Sequence, residues 1–316
     1  MTISVLRTDD AWWVASPAGA VRITTSARTT AELLADRAAV DAAARSAADG
    51  ADTVEVATLD LRSPVTTPCR VVAQMTNFAS HVRDAGMDPK TIPLTFFRKS
   101  SASISGPLDP VRKPAHVKFL DYEVEIGLVI GRDMPVGTTV SADSLGDYLA
   151  GLVVTNDVSA RDIQLPQTQF YEAKSYPTFT PVGPALVLIE PGELARFGEL
   201  RLTLSVNGEE RQNALVAGDM LYRPLEALQS LSRFQDLAAG DLILTGTPVG
   251  TALSAPPKPI EIIGSLLPPA VKWKAFFKRQ AANPKYLHDG DVIEASVRTD
   301  DGAIDLGTQQ MRVTYS

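Results

Sequence analysis

The stretch that most constrains this chain runs Leu120-Asp121-Tyr122-Glu123-Val124-Glu125-Ile126-Gly127-Leu128-Val129-Ile130-Gly131. Its period of two predicts a β-strand, with Tyr122, Val124, Ile126, Leu128 and Ile130 on one face and Glu123 and Glu125 on the other. The second face continues into Gly127 and Val129, which is not how a solvated face reads. Alternate positions on a strand lie about 7 Å apart at Cα, so two such carboxylates can close around one hard cation. Burying them without a counter-charge would be very costly. The periodicity leaves two readings open, a buried acidic centre that needs a metal or a basic cluster, and an exposed edge strand with two solvated glutamates.

With 316 residues the chain fills one large domain or two unequal ones. A hydrophobic fraction of 45% with 21% charged residues is that of a globular protein. The net charge of −7 lacks the basic footprint of a nucleic-acid binder, so no nucleic-acid partner is expected. Cys69 is the single cysteine, so no intramolecular disulfide forms. It has no neighbouring histidine and reads as structural rather than nucleophilic, and a cytoplasmic location is expected. The first ten residues carry no basic region followed by an apolar run, and no 18-residue apolar segment occurs, so neither a signal peptide nor a membrane partner is expected.

Taken in order, residues 1–66 read as a small N-terminal α/β module. Short strands are predicted at 4–7 and 12–15. A helix is predicted over 29–48, capped by Thr30 and stopped at Asp49-Gly50, and a strand over 54–61. Ser63-Pro64-Val65-Thr66-Thr67-Pro68 marks the boundary. Beyond it, His81 and Asp84 lie three apart on a predicted helix and share a face. A histidine oriented by a carboxylate is the minimum for a general base; the plain alternative is a surface pair. The strand at 151–155 delivers Asp157, a third oxygen donor for Glu123 and Glu125. Three carboxylates suit Mg²⁺, Mn²⁺ or Ca²⁺ rather than zinc. Asn207-Gly208 predicts a hairpin turn. Thr245-Gly246-Thr247-Pro248-Val249-Gly250 follows a strand and offers hydroxyls and backbone N–H groups to an anion.

These pieces, in this order, resemble the fumarylacetoacetate hydrolase family, C-terminal domain. The likeness rests on Asn77-Phe78-Ala79-Ser80-His81, Asp121-Tyr122-Glu123-Val124-Glu125, Asn156-Asp157-Val158-Ser159-Ala160-Arg161-Asp162, Lys174-Ser175 with Pro181-Val182-Gly183-Pro184, Asn207-Gly208 and Thr245-Gly246-Thr247-Pro248-Val249-Gly250. The resemblance implies a β-rich α+β fold with a rolled mixed sheet over 67–316, usually a homodimer, with Mg²⁺ or Mn²⁺ in its mouth. It implies Glu123, Glu125 and Asp157 as metal ligands and His81, helped by Asp84, as the group that activates water. Lys174 then holds a substrate oxygen, and Gln164, Thr247 and Lys99 contact the substrate. The chain departs from the family at Gln74-Met75-Thr76-Asn77, at Tyr176-Pro177, and in an insertion at about 252–288. That insertion carries Pro256-Pro257-Lys258-Pro259 and a basic, aromatic helix over 271–280, read as a surface or dimer-packing elaboration or as an arm that narrows the site.

The expected activity is hydrolysis of a C–C bond in a 2,4-dioxo acid of acylpyruvate or fumarylacetoacetate type, through an enolate stabilised by the metal and Lys174. The alternative is decarboxylation of an oxaloacetate-like 2-oxo acid, or isomerisation or hydration of an unsaturated one, at the same site without water attack. A non-catalytic metal-dependent binding protein is the third reading. Placement of the His81–Asp84 pair separates the first two.

Overall fold

A computed structural model describes residues 2–168, 170–254 and 267–315. The expected β-rich α+β architecture is present as a mixed, sheet-rich fold. Its larger sheet has nine strands, in the order Gly19–Arg22, Trp12–Ser16, Ile3–Arg7, Leu186–Leu188, Leu149–Asn156, Val124–Ile130, Leu242–Leu244, Val71–Gln74 and Phe96–Lys99. Its neighbours are antiparallel except Leu242–Leu244 with Val71–Gln74. The second sheet has five strands, in the order Glu209–Leu215, Leu200–Val206, Val292–Thr299, Asp305–Tyr315 and Val111–Lys113.

The acidic stretch divides into Leu120–Asp121 and Val124–Ile130. Every residue of Val124–Ile130 is buried, and the strand sits inside the sheet between Leu149–Asn156 and Leu242–Leu244. The exposed-edge reading is therefore set aside. One face, Val124, Ile126, Leu128 and Ile130, joins a core with Leu202, Leu204, Ile293, Ala295 and Met311 of the second sheet. Val129, on the other face, packs with Val153, Leu242 and Leu244 against Leu33, Val40 and Ala43 of the N-terminal helices. Burial on both faces explains why the run is apolar wherever no carboxylate is needed.

Several local expectations are corrected. Thr29, not Thr30, caps the first helix, in a reciprocal capping box with Glu32, and the helix breaks at Asp36 into Thr30–Ala35 and Arg37–Ala48. Residues 54–61 do not form a strand. Val54 makes one isolated bridge to Ala20, and Val56–Thr58 is a 3-10 turn. The N-terminal strands join the nine-stranded sheet, Ile3, Ser4 and Val5 pairing with Leu188, Val187 and Leu186. The Asn207-Gly208 turn forms as expected, both residues at positive φ (53° and 79°). Pro256-Pro257-Lys258-Pro259 lies outside the described residues. The helix Pro269–Gln280 is present, and it stacks Phe277 on Phe119 at 5.5 Å.

Gly127 shows why the second face of the central strand thins out between Glu125 and Val129. A Cβ there would lie 2.5 Å from Val153 Cγ2 and 2.6 Å from Thr155 Cγ2. Gly127→Ala is expected to overpack this layer and to cost about 1–3 kcal/mol, as overfilled cores do. Denaturant unfolding would read this as a lower midpoint at an unchanged slope, and an unaltered midpoint would show that the layer has slack.

Candidate active site

Strand register assembles the acidic group. Thr155 pairs with Glu125 and Asn156 with Val124, so Asp157, just past the strand end, falls beside Glu123. Asp157 N–H donates to the Glu123 carbonyl at 2.8 Å, and Glu123 N–H donates to Asn156 Oδ1 at 2.9 Å. Glu123, Glu125 and Asp157 are 5%, 1% and 1% exposed. Each offers an oxygen within 4.8 Å of the others.

Four buried carboxylates, counting Asp121, meet three buried cations, Lys99, Lys174 and Arg161. Lys174 Nζ bridges Glu123 Oε2 at 2.7 Å and Asp157 Oδ2 at 2.5 Å. Arg161 donates from Nε to Asp121 Oδ2 at 2.8 Å, from Nη1 to Gln164 Oε1 at 2.7 Å and from Nη2 to Glu123 Oε1 at 2.5 Å. Burial alone would raise the Glu123 carboxyl, but Lys174 and Arg161 overcome it and hold it down at about 2. Glu125 is the reverse. Burial, with Asp157 and Glu123 close by, pushes it well above its usual range; its Oε2 accepts from Gly246 N–H at 2.7 Å. With Glu125 ionised, four carboxylates against three cations leave one surplus negative charge beside three converging hard oxygens, which fits a divalent cation, and that cation would leave a net positive site for an anionic ligand. Glu123, Glu125 and Asp157 are the residues that would hold it.

The predicted residues are distributed as follows. His81, Gln164, Lys174 and Thr247 line one small cavity of about 60 Å³ with the three carboxylates, Arg161, Gln74, Phe97 and Phe170. Thr247 Oγ1 donates to the Val124 carbonyl at 2.9 Å and accepts from Gln212 Nε2 at 2.8 Å. Lys99 is behind the wall rather than in it: it donates to Asp157 Oδ1 and to the Phe179 carbonyl, the latter at 2.9 Å. There it braces the Asp157 carboxylate. Asp84, the last residue of the short helix Ala79–Asp84, is exposed, and the His81 Nδ1 it was expected to orient is buried without a hydrogen-bond partner among the described residues. Burial lowers the His81 imidazole below its usual value, so it is neutral at neutral pH.

The His81 helix is held from elsewhere. Asp219 accepts from Ser80 N–H at 2.7 Å and from Ser80 Oγ at 2.5 Å. Asn77 Nδ2 donates to the carbonyls of Tyr222 and Thr245 at 2.9 and 2.8 Å. Gly246 makes this fit possible, for it sits at φ +82° and a Cβ would lie 2.9 Å from Asn77 Cβ. Sequence reasoning missed Asp219 because it lies 139 positions from Ser80. It missed the roles of Asp121 and Arg161 although both stand in the motifs. Asp121 also accepts from the N–H groups of Ala252 and Leu253, at the start of the insertion, at 2.7 and 3.1 Å. Among the described residues, none of 252–288 lines the cavity. Tyr176 bonds Glu172 and His116 at the exterior. Cys69 is half-buried, and burial with Asp241 nearby pushes its thiol up to about 12, which keeps it unreactive.

On this mixed-sheet scaffold a buried carboxylate triad, a lysine bridging two of its members and a histidine share one cavity. Residues 70–314 match the family fumarylacetoacetate (FAA) hydrolase C-terminal, and the chain belongs to that family. It is similar to the oxaloacetate tautomerase YisK of Bacillus subtilis, 33% identical over 75% of this chain and 69% of that protein. It is 35% identical to the mitochondrial oxaloacetate tautomerase Fahd2a of Rattus norvegicus, over 62% of this chain; the match spans 60% of that relative's length. Among solved structures, a probable 2-hydroxyhepta-2,4-diene-1,7-dioate isomerase from Mycobacterium abscessus is 28% identical with a TM-score of 0.74, covering 100% of this chain and 99% of that one. Maleylpyruvate hydrolase from Sphingobium sp. SYK-6, determined with manganese(II) and pyruvate, shares the fold at a TM-score of 0.72 and 21% identity, with 100% of both chains covered.

Adding Mg²⁺ or Mn²⁺ to chelator-treated protein is expected to raise its thermal midpoint. At a hundredfold excess over Kd the gain is about 2.7 kcal/mol. Asp157→Asn should abolish the response, and an equal shift in that variant would place the ion elsewhere.

Proposed function

We propose that this protein is a divalent-metal-dependent tautomerase of a small 2-oxo dicarboxylic acid of the oxaloacetate class. The carrying observation is the placement of His81 without Asp84. A histidine meant to activate water for C–C hydrolysis needs a partner to orient it, whereas a neutral imidazole on the cavity wall suffices to exchange a proton with carbon. The relatives named oxaloacetate tautomerases, 33% and 35% identical, support the same reading.

In this reading the substrate's carboxylate and carbonyl oxygens enter a cavity whose wall is cationic on one side, through Lys174 and Arg161, and aromatic on another, through Phe97 and Phe170 at 5.3 Å. His81 accepts the C3 proton, the electron pair left behind forms the C2–C3 double bond, and the 2-oxo oxygen takes up charge and then a proton. Lys174 faces that oxygen. Burial opposes its charge, but Asp157 and Glu123 more than compensate and raise it above its usual value, so it stays an ammonium and donates. Glu123, Glu125 and Asp157 would hold Mg²⁺ or Mn²⁺, which would supply Lewis acidity to the site. Gln164, oriented by Arg161, and Thr247, oriented by Gln212, fix the remaining oxygens. Lys99 acts through Asp157, as a positioning residue.

A second reading, hydrolysis of a 2,4-dioxo acid, uses the same residues with His81 acting on water. It draws on the unpartnered His81 Nδ1, which has capacity left for a water proton. The test follows the ultraviolet absorbance of enol-oxaloacetate with Mg²⁺ and with chelator, beside a panel of acylpyruvates assayed for acid plus pyruvate and a measurement of carbon dioxide release. Metal-dependent loss of enol without carbon dioxide is expected, with kcat reduced by at least about 10²-fold in Lys174→Met. Cleavage of acylpyruvates with no effect on enol loss would overturn the tautomerase in favour of the hydrolase.

A further inference from the structure

One departure from the family pattern, Gln74-Met75-Thr76-Asn77, is built into the cavity wall. Gln74 ends the strand Val71–Gln74 and is 2% exposed. Its amide is anchored at one end only. Nε2 donates to the Tyr222 carbonyl at 3.4 Å, a carbonyl that also accepts from Asn77 Nδ2 at 2.9 Å. That contact turns Oε1 the other way, where it is buried and has no hydrogen-bond partner among the described residues. Two residues on, Thr76 holds φ at +55°, a left-handed conformation that a threonine adopts only under constraint. An unpaired acceptor inside a protein is disfavoured, and a ligand donor is the natural way to complete it.

The chemistry of the ligand narrows the donor. A 2-oxo diacid in its keto form offers only acceptors at neutral pH, namely two carboxylates and a carbonyl. Lys174 and Arg161 serve those oxygens in either tautomer. The enol tautomer adds one O–H. Gln74 Oε1 and His81 Nδ1 are the buried atoms of this wall without a partner. The amide takes up no proton, so Oε1 can only accept a hydrogen bond.

We propose that Gln74 is a specificity-determining residue whose Oε1 accepts the ligand's hydroxyl, so that the site favours the enol tautomer and, more broadly, small dicarboxylates that carry a hydroxyl over those that lack one. This assignment rests on the 2-oxo diacid reading of the site, but its test needs no turnover. Tartronate and malonate share a skeleton and two carboxylates and differ by one hydroxyl. Their affinities for the Mg²⁺-loaded protein are measured by calorimetry in wild type, Gln74→Met and Gln74→Asn. Wild type is expected to bind tartronate about tenfold more tightly than malonate, the worth of one net hydrogen bond. Gln74→Met should bring the ratio near unity. Gln74→Asn, which keeps the amide but withdraws its oxygen by a methylene, should do the same if the methionine variant does not fold. A wild-type ratio near one, or a wild-type ratio that survives in either folded variant, overturns the proposal. Failure of enol-oxaloacetate to turn over while the ratio still depends on Gln74 would instead sink the tautomerase reading and leave this one standing.

Discussion

The interior of this protein is organised by the cost of buried charge. Glu123, Glu125, Asp157 and Asp121 sit in the sheet-rich core, where an isolated carboxylate would be untenable. Lys99, Lys174 and Arg161 are drawn in to meet them, each through direct ion pairs. Removing one member of such a group leaves its partner uncompensated, at about 3–5 kcal/mol. The arrangement therefore locks the segment after each strand to its neighbour. Asp121 joins the start of the acidic stretch to Arg161 and to Ala252 and Leu253, so the insertion is tied to the centre although it contributes nothing described to the cavity wall.

The compensation is uneven. Glu123 is held ionised by two cations, while Glu125 has Gly246 N–H and is driven the other way by burial and by its acidic neighbours. That imbalance connects structure to function. A site neutralised throughout by its own side chains would have no use for a cation, and one with no internal cations would bind metal without leaving a positive face for an oxyacid. Here the lysine that bridges Glu123 and Asp157 also faces the cavity, so one residue serves both the stability of the centre and the charge that develops on a bound carbonyl.

The proton-handling side is built separately. His81 rides on a short helix fastened through Ser80 to Asp219 and through Asn77 to the carbonyls of Tyr222 and Thr245. The metal-site residues and the His81 segment thus converge from different parts of the fold, and the loop carrying Gly246 and Thr247 is the piece that touches both. Residues 74–77, one of the places where this chain departs from the family pattern, lie directly before the helix that carries His81.

The sequence by itself determined the acidic strand, the third carboxylate at Asp157, and the presence of His81, Lys174, Gln164 and Thr247 as a set. The acidic strand follows from period-two patterning, whose physical basis is local, whereas the set of His81, Lys174, Gln164 and Thr247 is what the family resemblance implied. It also carried the β-rich class and most strands of the sheets. Only the tertiary structure decided that both faces of the acidic strand are buried, that Lys99 braces Asp157, and that Asp84 is exposed. Those outcomes depend on sheet order and the pairing of residues far apart in the chain, such as Ser80 with Asp219 and Gln212 with Thr247. A hydrogen bond between such residues leaves no periodic trace in the sequence, because its geometry exists only once the sheets have closed around it.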